Sequence, residues 1–189
     1  MTTNSAPDGR RARTRARLQQ CALELFEQQG YEQTTVAQIA AAAGVTEMTF
    51  FRHYATKDRL VVDDPYDPVI AEAVAAQPPA LPALARAVAG LRTAWARLPE
   101  PESRTVRRRV RIAAVTPSLR AAISANNAAT EQILIDQLVA DGADRHAATV
   151  AAAATLAGIT AALLEWSRRD DITLGDAVTA ALDTLDGRR

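Results

Sequence analysis

Residues 34–60, TTVAQIAAAAGVTEMTFFRHYATKDRL, are the stretch around which the rest of the chain is organised. Its first half carries apolar residues at i, i+3, i+4 and i+7, the spacing of one helix face. These residues are Val36, Ile39, Ala40 and Ala43. Thr35 is a good N-cap for this helix, and Gly44 can supply the positive φ that ends it.

A second helix is predicted over residues 47–54, with Thr46 as its N-cap. Phe50 and Tyr54 are one turn apart on it and point inward with Val45. The other faces carry Glu47, Met48, Phe51 and Arg52. Two short helices with this tight turn are typical of a helix-turn-helix, whose second helix enters the major groove of DNA.

A longer pattern of apolar, glycine and threonine residues includes the two helices and extends beyond them on both sides. They are Leu25-Phe26, Gly30-Tyr31, Thr34-Thr35-Val36, Ile39-Ala40, Ala43-Gly44-Val45, Thr49-Phe50-Phe51, His53-Tyr54 and Lys57. This series, over roughly residues 14–62, resembles the N-terminal domain of TetR-type transcriptional regulators and keeps its spacing without gaps. The resemblance implies a homodimer that binds double-stranded operator DNA, mainly as a repressor.

The domain organisation follows from the pattern. Residues 1–12 are predicted to be a disordered basic arm, and residues 13–62 a three-helix helix-turn-helix domain. Residues 63–189 read as an α-helical ligand-binding and dimerisation domain, so the expected fold class is all-α. Pro65 and Pro68 predict a break or kink near 63–68, because proline removes a backbone donor and clashes with the preceding turn. The family's fourth helix is usually continuous there.

Charge is unevenly distributed although the formal net charge is zero. Residues 1–60 carry eight Arg and Lys against six Asp and Glu. A run of arginines directly before a helix-turn-helix favours phosphate contact over a merely solvated tail. The run is Arg10, Arg11, Arg13, Arg15 and Arg17.

Several residues of the helix-turn-helix are candidates for contacts with bases, phosphates or sugars of DNA. Glu47 and Met48 are the first exposed residues of the recognition helix and are the candidates for reading bases, although the helix dipole alone also favours Glu47. Thr35, Thr46 and Thr49 suit phosphates or base edges. Phe51 offers a flat apolar surface for sugar or methyl contact, or simply packs, and Arg52 reaches a phosphate or is solvated. The resemblance places His53 and Lys57 at phosphate-contacting positions.

The C-terminal half is predicted to be helical over 67–76, 81–97, 103–114, 117–141, 145–168 and 173–186. The two last helices have the composition of a dimer interface, with small residues that allow close approach and bulky ones beside them. The candidate interface residues are Val150, Ala154, Leu156, Ala157, Leu163, Leu164, Trp166, Val178, Leu182 and Leu185. The alternative is that all of these belong to one subunit's core.

An arginine stripe is the main sign of a ligand site. Arg104, Arg107, Arg108 and Arg111 recur at i, i+3, i+4 and i+7. Four cations on one face require carboxylates or a phosphate-bearing ligand. The carboxylate alternative names Glu100, Glu102, Glu131 or Asp136 as partners. Trp95 and Asn127 are further candidates for ligand binding.

A second resemblance covers this region. RRRVRIAAVTPSLRA, residues 107–121, is similar to the C-terminal domain of mycofactocin-type regulators. That resemblance implies a long-chain acyl-CoA ligand whose phosphates use the arginines. The TetR resemblance implies a small-molecule inducer, not a permanently bound cofactor.

Other classes of protein find little support. Two histidines and one cysteine, Cys21, give no metal-ligand spacing, and there is no phosphate loop or nucleophile elbow, so an enzyme is not expected. A helical ligand-binding or interaction module without specific DNA binding is the alternative function. The long uncharged run 147–164 is mostly alanine and threonine, which favours a buried soluble helix, no membrane association and a cytoplasmic protein.

Overall fold

The computed structural model describes residues 6–62, 67–97 and 103–188, and these ranges are built of ten helices and the turns between them. The helices are α1 Ala6–Gln29, α2 Val36–Ala42, α3 Glu47–His53, α4 Arg59–Val62, α5 Asp67–Ala75, α6 Ala83–Arg97, α7 Ser103–Val115, α8 Pro117–Ala140, α9 Arg145–Ser167 and α10 Leu174–Leu185. No strand occurs in the described ranges, and the all-α fold class is confirmed.

Helix ends lie where the capping residues predicted them. Thr35 caps α2 in a capping box with Gln38, and the Thr46 hydroxyl accepts a hydrogen bond from the Thr49 amide at the start of α3. Gly44 takes φ 64°, a left-handed conformation that favours glycine, and it separates the two helices. The helix-turn-helix geometry is therefore encoded locally.

The prediction of a disordered arm is wrong for residues 6–12, because α1 already begins at Ala6. Arginine is a good helix former, and Pro7 lies in the first turn, where its missing amide hydrogen is not needed. The arginine run therefore continues the helix N-terminally, and its side chains project from a regular scaffold. Residues 1–5 lie outside the described part of the chain.

The predicted break near 63–68 falls largely outside the described residues, since 63–66 with Pro65 are among those not described. On either side, α4 ends at Val62 and α5 begins at Asp67. Pro68 is the second residue of α5, a first-turn position that proline tolerates.

Two hydrophobic cores organise the chain. The first buries Leu18, Phe26, Ile39, Phe50 and Leu60 of α1–α4. It also includes Ile112, Ala113 and Leu119, which belong to α7 and the start of α8. The helix-turn-helix region thus completes its core with residues from the C-terminal half.

The second core lies among α5, α6, α8, α9 and α10. Its largest fully buried side chains include Trp166, Leu134 and Leu138. α5 and α6 approach so closely at Gly90 that a Cβ there would overlap the side chain and backbone of Val74. Nearby, the buried Arg86 guanidinium donates to Asp141 at 2.6 Å, so the charge is paired inside the domain.

Several residues predicted for a dimer interface are instead buried within the subunit. Trp166, Val178 and Leu182 are 0%, 5% and 1% exposed, and the Trp166 indole donates to the Ile172 carbonyl. Both a core and an interface select apolar residues, which is why sequence periodicity did not separate them. Leu156, Leu163, Leu164 and Leu185 are half-buried.

One face of α9 remains open along its length. Val150, Ala157 and Ala161 are exposed and Ala154 is half-buried, at i, i+7, i+11 and i+4. Among the described residues, α9 is the one helix that is long and apolar enough to cross a membrane, and 22% of its apolar stretch is buried inside the subunit. Its other side packs on α6, α7, α8 and α10.

Candidate nucleic-acid interface and ligand cavity

The recognition helix α3 is anchored on one side and open on the other. Phe50 is fully buried and stacks edge-on against Phe51, with ring centroids 5.4 Å apart. Met48 is 74% exposed and Phe51 52%, and Glu47 is exposed beside them. A rigid helix that presents two large apolar side chains and a carboxylate to solvent is suited to reading base edges.

The three threonines lie at helix starts. The Thr46 and Thr49 hydroxyls are 3.0 Å apart in the first turn of α3. The Thr35 hydroxyl accepts from the Gln38 amide at 3.2 Å, so its capping role is filled within the protein. Thr35 and Thr46 are exposed, whereas Thr49 is half-buried.

Arginines from α1 surround the C-terminal end of α3. Arg15 Nη1 donates to the His53 carbonyl at 3.0 Å, and its guanidinium lies 4.4 Å from the centre of the Tyr54 ring. Arg11 and Arg52 are close enough to act on the charge of His53. Because Arg11 and Arg15 stand on α1 beside α3, which carries Arg52, the three form a positive surface of the kind that contacts phosphates.

The surroundings of His53 act against a positive charge on its imidazole. Burial, and then the positive charges of Arg11, Arg15 and Arg52, lower the pKa of its imidazole below the ordinary value. Its Nδ1 is buried and has no hydrogen-bond partner within the described residues. The imidazole therefore lies in a site that disfavours the charged form.

Lys57 lies in a different environment from that expected for a phosphate contact. Its Nζ donates to the carbonyls of Tyr31 and Thr34 at 2.8 and 2.9 Å, and it lies 4.0 Å from the centre of the Tyr31 ring. Burial lowers the pKa of this ammonium. Two of its three donors hold the turn before α2, and phosphate contact by Lys57 stays a prediction.

A cavity of about 570 Å³ lies between the two halves of the chain. It is lined by α1, α4, α6–α10 and Ile70 of α5. Trp95 and Asn127, both predicted for ligand binding, line it. Sequence reasoning missed Arg15 and Arg109 as lining residues, since neither falls on the arginine stripe.

Both polar and apolar side chains line the cavity. Near α4, Arg109 Nε donates to the Val61 carbonyl at 2.7 Å, and Gln19 of α1 donates to the Leu60 carbonyl at 3.2 Å. Trp95, Leu174 and Val178 of α6 and α10 add apolar surface. Polar groups are not confined to one side, since Asn127 of α8 and Thr160 of α9 also line the cavity.

The arginine stripe lies outside this cavity. Arg104, Arg107, Arg108 and Arg111 line a separate depression together with Glu27 and Asp170. Arg107 and Arg111 pair with Asp170, and Arg108 pairs with Glu27. The carboxylate alternative is therefore correct in kind, and within the described residues the partners are Glu27 and Asp170 rather than Glu131 or Asp136. Glu100 and Glu102, also named for it, lie outside the described residues.

Arg107 makes further contacts that fix this region. Its guanidinium lies 4.4 Å from the centre of the Trp166 ring, and it donates to the Arg169 carbonyl. Arg111 Nε donates to the Ser167 carbonyl at 2.6 Å. These arginines tie α7 to the end of α9, which is a structural role.

Comparison with protein families decides the identity of the chain. Residues 20–63 match the model of bacterial regulatory proteins of the tetR family, and residues 78–189 match the MftR C-terminal domain. The chain belongs to the TetR family. Both resemblances found in the sequence are thereby confirmed, and regulators of this family are DNA-binding proteins without enzymatic activity.

A curated relative of this TetR-family chain is the HTH-type transcriptional regulator TcmR of Streptomyces glaucescens. It is 48% identical over 67 residues, which cover 32% of this chain and 30% of TcmR. The chain thus matches less than a third of that relative's length, and the likeness concerns one segment.

Solved structures share the fold along most of the chain. NalD of Pseudomonas aeruginosa, the secondary repressor of the MexAB-OprM multidrug efflux pump, is 24% identical with TM-score 0.54, and 92% of each chain is covered. SmeT, the repressor of the SmeDEF pump of Stenotrophomonas maltophilia, is 17% identical with TM-score 0.57, covering 92% of this chain and 88% of SmeT. At these identities the likeness shows the fold alone.

Proposed function

We propose that the protein is a homodimeric, cytoplasmic repressor that binds operator DNA through α3 of each subunit and leaves it when a small molecule fills the cavity. The observation that carries the proposal is the open face of α3. Glu47, Met48 and Phe51 project from a helix whose opposite side is fixed by the buried Phe50. Side chains on a fixed helix can reach base edges with a defined register.

Dimerisation is supported by the open face of α9. The stripe of Val150, Ala154, Ala157 and Ala161 is apolar, small and left uncovered by the subunit. A second copy that places the same stripe across a two-fold axis would bury it, since a two-fold interface uses the same surface on both subunits. Two recognition helices related by that axis fit two half-sites of a palindromic operator.

Ligand control is supported by the position of the cavity. It reaches from α10 to α1 and α4, so a bound molecule touches elements that carry the helix-turn-helix. An apolar cavity with a few polar groups is the usual form of a small-molecule site. The cavity, rather than the paired arginine stripe, is the proposed inducer site.

The test is fluorescence-anisotropy binding to the DNA that flanks the coding region, against scrambled DNA, at several salt concentrations. Selective binding that weakens linearly with the logarithm of salt concentration is expected. Glu47→Ala and Met48→Ala are each expected to reduce the selectivity by about 1–3 kcal/mol. Glu24→Ala removes a carboxylate from an exposed position of α1 and is the matched control.

The regulator proposal would be overturned if the protein bound all DNA equally weakly. This result would have to persist after bound ligand is stripped and genomic fragments are screened. It would favour a helical ligand-binding or interaction module without specific DNA binding.

A further inference from the structure

We propose that Arg10, Arg13 and Arg17, called here the α1 arginine face, bind DNA phosphates beside the N-terminal end of the recognition helix α3. This face is separate from the positive surface described above, which lies at the C-terminal end of α3. The inference rests on the proposed function and adds a second phosphate-binding surface to it.

The helical phase of α1 divides the five arginines of the basic run into two sets. Arg10, Arg13 and Arg17 recur at i, i+3 and i+7, so they share one side of a regular helix, and all three are exposed. Arg11 and Arg15 lie on another side, where both act on the charge of His53. The sequence shows one basic run, whereas the structure gives its members two different surroundings.

Arg17 locates the α1 arginine face relative to the recognition helix. The Cζ, Nη1 and Nη2 atoms of its guanidinium all lie within 4 Å of the point that a Cβ on Gly44 would occupy. Gly44 belongs to the turn between α2 and α3 and lies two residues before Thr46, the N-cap of α3. The face therefore ends at the N-terminal end of α3, whereas His53 lies at the other end.

The α1 arginine face points away from the C-terminal half of the chain. Gln19, two residues after Arg17, is turned by about 200° around the helix axis. Gln19 donates to the Leu60 carbonyl and lines the cavity together with Arg15. The side of α1 that meets the C-terminal half is thus opposite Arg17, and the face stays open beside the helix-turn-helix.

The three guanidinium groups of the face are available to an anion. In the part of the chain that the structure describes, the side chains of Arg10, Arg13 and Arg17 form no hydrogen bond and no ion pair. Like charges three or four residues apart on a helix repel one another. Phosphate oxygens accept charge-assisted hydrogen bonds from guanidinium groups and remove this repulsion.

Double-stranded DNA is the partner that fits, because the α1 arginine face continues a surface already suited to DNA. Thr46, Glu47 and Met48 are exposed and directly follow the turn on which Arg17 rests. DNA whose bases meet these residues brings its phosphates beside α1. Because phosphates carry no sequence information, contacts from this face strengthen binding to all sequences alike.

The salt dependence of DNA binding, measured by fluorescence anisotropy on operator and scrambled DNA, tests the α1 arginine face. Arg13→Gln and Arg17→Gln are each expected to reduce the slope of log K against log salt by about 0.9 on both DNAs. The ratio of the two affinities is expected to stay at the wild-type value. Arg104→Gln, at an exposed position of α7, is the matched control.

Arg17→Lys separates the charge of Arg17 from its packing on Gly44. It keeps the charge and is expected to keep the wild-type slope. Wild-type slopes in both glutamine variants overturn the proposal. A slope in Arg17→Lys as low as that in Arg17→Gln overturns it too, since it assigns the loss to packing.

Neutral methylphosphonate linkages, placed one at a time in the operator, test whether the two surfaces are separate. A linkage that weakens wild-type binding but not binding by Arg17→Gln marks the phosphate that Arg17 contacts. Arg52→Gln is expected to mark a different phosphate. The proposal is overturned if both variants mark the same phosphate or if Arg17→Gln marks none. Absence of selective binding would instead contradict the proposed function, and the salt slopes on scrambled DNA would still decide whether the face binds phosphates.

Discussion

The Arg108 guanidinium and the Glu27 carboxylate form a two-point ion pair that joins α7 to α1, with Nε–Oε1 at 2.7 Å and Nη2–Oε2 at 2.8 Å. The two residues are 81 positions apart in sequence and belong to opposite halves of the chain. Because both side chains are partly exposed, the pair adds little stability but defines how the two helices meet.

Glu27→Gln is expected to change the free energy of unfolding in urea by less than about 1 kcal/mol. The effect of a cavity-bound ligand on operator affinity is expected to change by about 0.5–2 kcal/mol, since the pair joins α7 to α1 and both helices line the cavity. Glu24→Gln is the control on the same helix. If the ligand changes operator affinity by the same amount in Glu27→Gln and in the wild type, the ion pair does not link the cavity to DNA binding.

Gly90→Ala is expected to destabilise the protein by about 1–3 kcal/mol, because the new methyl group would overlap Val74 of α5. Gly9→Ala is the matched control, since nothing lies within 4 Å of a Cβ there, and it is expected to stabilise α1 by about 0.5–1 kcal/mol. Urea unfolding of both variants measures the difference. Equal effects of the two substitutions would contradict the close α5–α6 packing.

Lys57→Met is expected to lower the free energy of unfolding by about 1–3 kcal/mol, because it removes the donor to the Thr34 carbonyl and one of the two donors to the Tyr31 carbonyl, which keeps the Thr34 amide. Its effect on the salt dependence of DNA binding is expected to be small. Arg52→Gln, at an exposed position on α3, should instead reduce the slope of log K against log salt by about 0.9. A slope change in Lys57→Met as large as that in Arg52→Gln would assign Lys57 to a phosphate.

Stability is expected to fall as pH decreases from about 7.5 through the ordinary histidine range. The pKa of His53 is lower in the folded than in the unfolded chain, so below about pH 6.5 the unfolded chain binds more protons. Urea unfolding of His53→Gln should show a smaller acid loss than wild type. His146→Gln, at an exposed position of α9, should keep the wild-type loss.

Ala157→Glu is expected to convert the dimer to a monomer, because it places a charge in the middle of the open α9 stripe. Sedimentation velocity measures the oligomeric state, and operator affinity should fall with it. Ala128→Glu, at an exposed position on α8, is the control and should remain dimeric. A dimeric Ala157→Glu would place the interface elsewhere.

Local signals in the sequence predicted the helices well. Caps such as Thr35 and Thr46, and glycines such as Gly44 and Gly142 at positive φ, act within a few residues, so the boundaries of α2, α3 and α8 follow from the sequence. The start of α1 was missed because an arginine run is compatible with both a tail and a helix.

Long-range relationships were not predictable in the same way. The partners of Arg107 and Arg108 are 63 and 81 residues away, and only the packing of α7 on α1 and α9 brings them together. Arg109 enters the cavity because it lies off the stripe, on a side of α7 whose neighbour depends on tertiary structure. Trp166 and Val178 were assigned to an interface because periodicity cannot tell one buried surface from another.

Ile112, Ala113 and Leu119 form part of the hydrophobic core of the helix-turn-helix region, although they follow Val62, its last residue, by fifty residues or more. A fragment that ends at residue 62 would expose the apolar surface that these three side chains cover. A chimaeric regulator made by exchanging only the first 62 residues would therefore join two mismatched halves of a core. A successful exchange must therefore include α7 and the first turn of α8 together with the helix-turn-helix region.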